Sequence, residues 1–303
     1  MDRLFRHLLV PLDGSRLAES VLPVAAELTR RLGARITLLH VVEPHAPATV
    51  HGDRHLSRPT EAEAYLKGGV DWLAGRGVRA DQVVLRAEGD VAASIASSAA
   101  HLRADLIVLS THGSSGVKGL LFGRVAQQVL QRGTVPVFLV QPSGQGREQS
   151  FVCRRILVPL DGSETAEAAL PVASALAGVF DANVLLVWVV PTVITISGDR
   201  GVATRLMPTA AAVLLETEAS QAAMYLEQVA ARLRAKGRTV EASVERGEPV
   251  NVLLDTVGKR DVHLTVMATH GRSGVSAVWA GSVASRIVAA GSRPILLVRI
   301  PPR

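Results

Sequence analysis

The chain is written twice, and that repetition limits its fold more than any other feature. HLLVPLDGS at 7–15 returns as RILVPLDGS at 155–163, carrying Asp13 to Asp161, an offset of 148 residues. TLLHVV at 37–42 matches LLVWVV at 185–190 with the same offset. Further on, THGSSGVKGLLFGRV at 111–125 returns as THGRSGVSAVWAGSV at 269–283, and VPVFLV as RPILLV, both offset by 158. The second copy therefore has ten extra residues between its second strand-like run and its glycine phrase. QPSGQGREQS, at 141–150, is a polar connector of the Gly/Ser/Pro kind. A self-similar chain of this length predicts two domains, 1–142 and 151–303, with 143–150 as linker, each large enough to bury its own core.

Within each copy, short aliphatic runs alternate with amphipathic stretches. In the first copy the strand-like runs are 7–12, 35–42, 82–88, 105–110 and 135–140, with helical patterns near 15–32, 60–76, 90–103 and 123–132. The second copy repeats the pattern with a longer helix near 209–236. The chain is 48% hydrophobic but only 3% aromatic, so its core must be built from Val, Leu, Ile and Ala. Continuous β-branched runs separated by helices predict a parallel sheet covered on both faces, an open α/β fold with right-handed crossovers. In such sheets ligands bind beyond the carboxyl ends of the strands, where the strand order reverses.

Other classes are set aside by composition. The net charge of +6 divides into +3 for each half without a basic tail, and stacking aromatics are scarce, so nucleic acid is not an expected partner. The longest apolar stretch, VLLVWVVPTVITI at 184–196, is too short to span a bilayer and carries Pro191. The N-terminal segment has no signal-peptide apolar run, and the single cysteine, Cys153, points to a reducing compartment. A cytoplasmic protein without a membrane partner is the expectation.

The first strand of each copy ends in PLDGS, which gives Asp13 and Asp161. A carboxylate there accepts a ribose hydroxyl, or else braces a turn with Ser15 or Ser163 capping the next helix. The glycine phrase follows the fourth strand. Its glycines let backbone N–H groups approach a ligand, and Gly281-Ser282 opens a helix whose free amides and dipole favour an anion. The alternative is an ordinary flexible connection. There is no G-x-x-x-x-G-K-[ST], no G-x-G-x-x-G after the first strand and no G-x-S-x-G, which excludes the Walker loop, the dinucleotide fingerprint and the hydrolase elbow.

On these residues both halves resemble universal stress protein domains, and the chain resembles a tandem member of that family. The resemblance implies Rossmann-like domains of the adenine-nucleotide-binding type, paired as a pseudo-dimer, with ATP as ligand, with or without Mg²⁺, and a signalling or protective role rather than catalysis. The nucleotide-binding branch carries G-x2-G-x9-G-[ST] after strand four. The matching residues are Ala268, Gly271, Gly281 and Ser282, followed by Val283, in the second copy, and Ser110, Gly113, Gly123 and Arg124 in the first. The first glycine is thus replaced by a small residue in both copies. The family further implies that Pro11, Asp13 and Val41, and likewise Pro159, Asp161 and Val189, line the nucleoside pocket. Another branch of the family does not bind ATP.

Arg124 exchanges a small hydroxyl for a long cation that either clamps a phosphate or fills the space, so binding mainly in the second domain is expected. Two further functions stay open: a scaffold acting through protein–protein contacts, and an ATP-hydrolysing relative, although no acidic pair suggests a metal site. His112 and His270 lie inside the glycine phrases without a neighbouring nucleophile, and HGDRH, with His51 and His55, reads as a surface loop rather than a metal site. PVFLV (136–140) and PILLV (294–298) are too aliphatic for exposed edges, which predicts that they pair. The resemblance leaves a further homodimer open.

Overall fold

The computed structural model describes residues 4–44, 49–50, 52–87, 90–111, 123–142, 150–195, 208–270 and 283–300. They form two compact units. The first holds the described residues up to Val152 together with His270 and 294–300, and the second holds Cys153–Thr269 with 283–293.

In the first unit, β1 (His7–Pro11) lies between β2 (Arg35–Val42) and β6 (Leu106–Ser110), parallel to both. Leu8 faces Ile36 on one side and Leu106 on the other. These strands are mostly aliphatic and do not alternate with polar residues, because both faces of the sheet are covered. β5 (Asp81–Arg86) flanks β2, and β7 (Val137–Val140) flanks β6, again in parallel. β12 (Ile295–Ile300), from the end of the chain, pairs antiparallel with β7, setting Ile295 opposite Leu139 and Leu297 opposite Val137. The two aliphatic segments expected to pair do so.

The order β5-β2-β1-β6-β7 reverses direction at β1. Chain continuation goes to β2 on one side and, later, to β6 on the other, which opens a crevice above the carboxyl ends of β1 and β6. The second unit repeats the arrangement. β8 (Arg155–Pro159) lies between β9 (Asn183–Val190) and β11 (Leu264–His270), and β10 (Val240–Arg246) flanks β9.

The first helical pattern divides into α1 (Arg16–Glu19) and α2 (Leu22–Leu32), where the sequence reads as one helix. Pro23 explains the break. It lacks an N–H and its ring crowds the carbonyl one turn back, so it is accepted only in a first helical turn. Pro171 imposes the same break between α6 (Glu164–Glu167) and α7 (Leu170–Phe180). Helices α3 (Pro59–Ala74), α4 (Val91–His101) and α5 (Arg124–Arg132) complete the first unit's described helices. In the second unit these are followed by α8 (Pro208–Arg234), α9 (Pro249–Lys259) and α10 (Val283–Ala290). The buried stripe of α8, Leu215, Ala219, Ala222, Leu226, Val229 and Leu233, follows helical spacing. None of the described helices is long and apolar enough to cross a membrane.

Three histidines are held neutral by this packing. His7 in β1 is 4% exposed, with Nδ1 3.0 Å from the Leu102 carbonyl and Nε2 2.8 Å from the Thr37 hydroxyl. Burial pushes its pKa down, and does the same for His40 and His263. The unfolded chain therefore binds protons at these sites more readily than the folded one. Their contribution is fully present above the free imidazole pKa of about 6.5 and is lost as the pH falls below it. Each such histidine steepens the loss by up to about 1.4 kcal/mol per pH unit. Urea unfolding should accordingly give a lower midpoint at pH 5.5 than at pH 7.5, and a flat profile would contradict the neutral assignment.

Candidate functional site

The crevice of the first unit is a cavity of about 270 Å³. Its walls come from several elements: Pro11, Leu12 and Asp13 after β1, Leu39, His40 and Val41 on β2, Leu109 and Ser110 on β6, and Gly123 to Ala126 at the start of α5. Val91 and Ile95 of α4 close one side, and Val50 and His55 another. Six residues singled out in the sequence thus meet in one cavity: Pro11, Asp13, Val41, Ser110, Gly123 and Arg124. Gly113 lies outside the described residues, as does His112.

Local chemistry fixes each wall. Asp13 Oδ1 accepts the Ser15 N–H at 2.9 Å and the Ser15 hydroxyl at 2.6 Å, and the Ser15 oxygen accepts the Ala18 N–H at 3.1 Å. The turn-bracing reading of Asp13 is therefore met, while its carboxylate still borders the cavity. Gly14 between them has φ +93°, and a Cβ there would come within 2.9 Å of Leu56. Only glycine combines that left-handed turn with so close a neighbour.

At the opposite wall, Gly123 starts α5 with no side-chain cap, and its own N–H goes to the Thr111 carbonyl at 2.5 Å. The amides of the first helical turn have no partner within a helix, and together with the dipole they make an anion-attracting rim. Arg124 is exposed, so it lines the cavity without filling it. The Ser110 hydroxyl is sequestered and has no hydrogen-bond partner among the described residues.

Three polar cavity residues were not read as part of the site in the sequence. His40 sits within an otherwise aliphatic strand and is 1% exposed, its Nδ1 2.7 Å from the Leu12 carbonyl. A polar residue inside a buried aliphatic run was the signal that could have found it. His55 is 6% exposed, not the surface-loop residue expected. The segment forms a hairpin of β3 (Thr49–Val50) and β4 (Asp53–Arg54), and Asp53 Oδ2 accepts the Arg16 N–H at 2.9 Å. That tie folds the hairpin over the turn after β1 and buries His55. Its Nε2 lies 3.7 Å from Glu43 Oε1, the third missed residue. His51 lies outside the described residues. Among the described residues no group of three or more His, Cys, Asp or Glu side chains could hold a metal.

In the second unit, Pro159 ends β8 half-buried, Asp161 is exposed, and Val189 on β9 and Ala268 on β11 are half-buried. Asp161 Oδ1 accepts the Ser163 N–H at 3.0 Å and its hydroxyl at 2.6 Å, repeating the Asp13 turn. Val283 begins α10. Gly271, Gly281 and Ser282 lie outside the described residues. Trp188 holds the position that His40 holds in the first copy. Its ring lies against Gly162, where a Cβ would come within 2.7 Å, and meets Tyr225 edge-on with centroids 5.4 Å apart. Tyr225 donates to Glu167 Oε1 at 2.7 Å, and burial together with that carboxylate pushes the phenol pKa up.

Comparison with known proteins accords with this geometry. The model of the universal stress protein family matches residues 4–141 and again 153–299. A universal stress protein of Mycolicibacterium smegmatis is 26% identical over 304 residues, covering 96% of each chain. Universal stress protein YxiE of Bacillus subtilis is 28% identical over 150 residues, 46% of this chain and 100% of its own length. Among solved structures, a universal stress protein from Archaeoglobus fulgidus superposes with a TM-score of 0.70 at 18% identity, covering 98% of this chain and 97% of that one, which is a likeness of fold. Two matches to one family model, carried on two copies of one parallel sheet, show that the chain belongs to the universal stress protein family, as a tandem member.

Proposed function

We propose that this stress protein binds an adenine nucleotide, and that occupancy of the site, rather than turnover of the ligand, is what it contributes. The carrying observation is the convergence of Pro11, Asp13, Val41, Ser110, Gly123 and Arg124 on one cavity at the point where the strand order reverses. The residues present suit ATP. The uncapped start of α5 and the Arg124 guanidinium form a donor-rich rim for phosphates, and Ser110, whose hydroxyl is unpartnered among the described residues, also lines the cavity. A charge-assisted hydrogen bond from Arg124 is worth about 1.5–3 kcal/mol. The apolar walls from Leu12, Leu39, Val41, Val91 and Ile95 suit a nucleoside.

Two of the ionisable groups lining the cavity are already engaged: Asp13 with Ser15, and His40 with the Leu12 carbonyl. That supports binding over catalysis. In the second domain, proposed as 151–303 beside a first domain of 1–142, the corresponding site is assigned to Pro159, Asp161, Val189, Ala268, Gly271, Gly281, Ser282 and Val283. Mg²⁺ would accompany the phosphates.

Mass spectrometry of small molecules released on denaturing the purified protein should detect an adenine nucleotide. Ligand at about 100 times its Kd adds roughly 2.7 kcal/mol to the domain that holds it. The melting temperature should then rise by about 5–10 °C for a domain of about 150 residues that melts on its own. No released nucleotide, together with no shift in millimolar Mg-ATP, rejects the reading.

A further inference from the structure

The lining of the first-repeat cavity includes two acidic residues, Asp13 and Glu43, and the nucleotide reading above uses only the first. Asp13 braces its turn through Ser15. Glu43 follows directly on β2, and its side chain is 39% exposed. Its carboxylate has no hydrogen-bond partner among the described residues. His55 Nε2 lies 3.7 Å from Oε1, beyond hydrogen-bond reach. That ring is itself buried, in a segment tied through Asp53 to the Arg16 amide. It stands beside the carboxylate without taking up its oxygens.

At neutral pH a carboxylate presents oxygens that only accept. Beside it a phosphate meets like charge, whereas an N–H or O–H forms a charge-assisted bond. The part of a ligand that settles against Glu43 is therefore a hydrogen-bond donor, and the phosphates lie elsewhere.

The sheet says where. β1 separates β2 from β6, which sets those two strands about 10 Å apart at ordinary spacing. Glu43 stands at the carboxyl end of β2, and the phosphate rim of α5 amides and Arg124 follows β6. A nucleotide is two-ended in the same sense, with phosphates at one end, the base edge at the other and the ribose between. Phosphates held at the rim send the base edge towards β2. Adenine carries its amino group on that edge.

We propose that Glu43 is a specificity-determining residue of the first repeat, accepting a hydrogen bond from the amino group of the bound adenine. The inference rests on the nucleotide reading above and extends it to selection of the base. It concerns the first repeat alone. The matched runs 37–42 and 185–190 are followed by Glu43 in one copy and by Pro191 in the other, and a proline side chain has no acceptor.

The test is calorimetric titration of the full-length protein and of its Glu43→Leu and Glu43→Gln variants. The ligands are ATP, the 6-deamino purine ribonucleoside triphosphate, and 2′-deoxy and 3′-deoxy ATP. The second repeat is the same in all three proteins, so differences between them report the first. Wild type should bind the 6-deamino analogue at its first site at least about tenfold more weakly than ATP, as loss of one charge-assisted bond implies. Glu43→Leu should bind the two ligands alike. Glu43→Gln keeps an acceptor oxygen and should retain part of the preference, which a merely structural role for Glu43 does not explain.

The same preference in wild type and Glu43→Leu overturns the proposal and leaves nucleotide binding standing. So does a wild type that ignores the amino group, including one that discriminates against a deoxy analogue instead. Should Glu43→Leu fail to fold, Glu43→Gln decides: a reduced preference supports the proposal and an unchanged one overturns it. No ATP binding at all overturns the nucleotide reading and this inference with it.

Discussion

Gly281→Trp is expected to abolish most ATP binding, and Gly123→Trp to remove a smaller part, in calorimetric titration of the full-length protein. Gly123 borders the cavity and opens α5, so an indole on its Cα would take up much of a space of about 270 Å³ and cover the first-turn amides. The same substitution at Gly281 would fall on the counterpart in the second phrase, which keeps the small hydroxyl of Ser282. The ranking turns on Arg124. Its side chain is exposed at the rim, which leaves the first cavity open and favours the clamping alternative over the space-filling one. A long cation reaching over the rim still replaces backbone approach imperfectly, so the second repeat is expected to bind more tightly. Equal or reversed losses would mean that the guanidinium substitutes fully for the hydroxyl.

Phe138→Ala is expected to lower the stability of the first unit by about 3–5 kcal/mol, the usual cost of emptying a large aromatic site. Phe138 is 0% exposed and lies in β7 between Val108 of β6 and Leu296 of β12. Phe151 meets it edge-on, with centroids 6.0 Å apart and planes at 89°. Phe138→Leu keeps more of the volume and should cost about 1–2 kcal/mol. Urea unfolding of the two variants checks the order, and a loss below about 1 kcal/mol for the alanine variant would contradict the packing at β7.

The strands were legible because a sheet covered on both faces demands unbroken aliphatic runs, and such runs occur twice at matched spacing. The family resemblance carried Pro11, Asp13, Val41, Ser110, Gly123 and Arg124 onto this chain before any geometry was known, and the structure brings these six together. Less visible was whatever depends on contacts distant in sequence. The helix break before Pro23 could have been read from the proline itself, yet the apolar periodicity runs straight through it. The burial of His55 follows from an Asp53 carboxylate reaching the Arg16 amide, 37 residues away, and no local pattern announces that contact. His40 looked like part of a strand because it is part of one. Its partner, the Leu12 carbonyl 2.7 Å from Nδ1, lies 28 residues away in sequence.

The antiparallel pairing of β12 with β7 has a consequence for biosynthesis. A ribosome delivers β7 well before β12. At about 5–20 residues per second, the roughly 150 residues between them take on the order of 10–30 s. Throughout that interval the outer edge of Val137–Val140 has no strand beside it, while the rest of the first sheet can already assemble. A nascent chain halted before Ile295 would therefore display an aliphatic edge of the kind that invites pairing with another nascent copy. The interval ends only when β12 clears the exit tunnel, so the sheet of the first repeat is finished by a strand made after the second repeat.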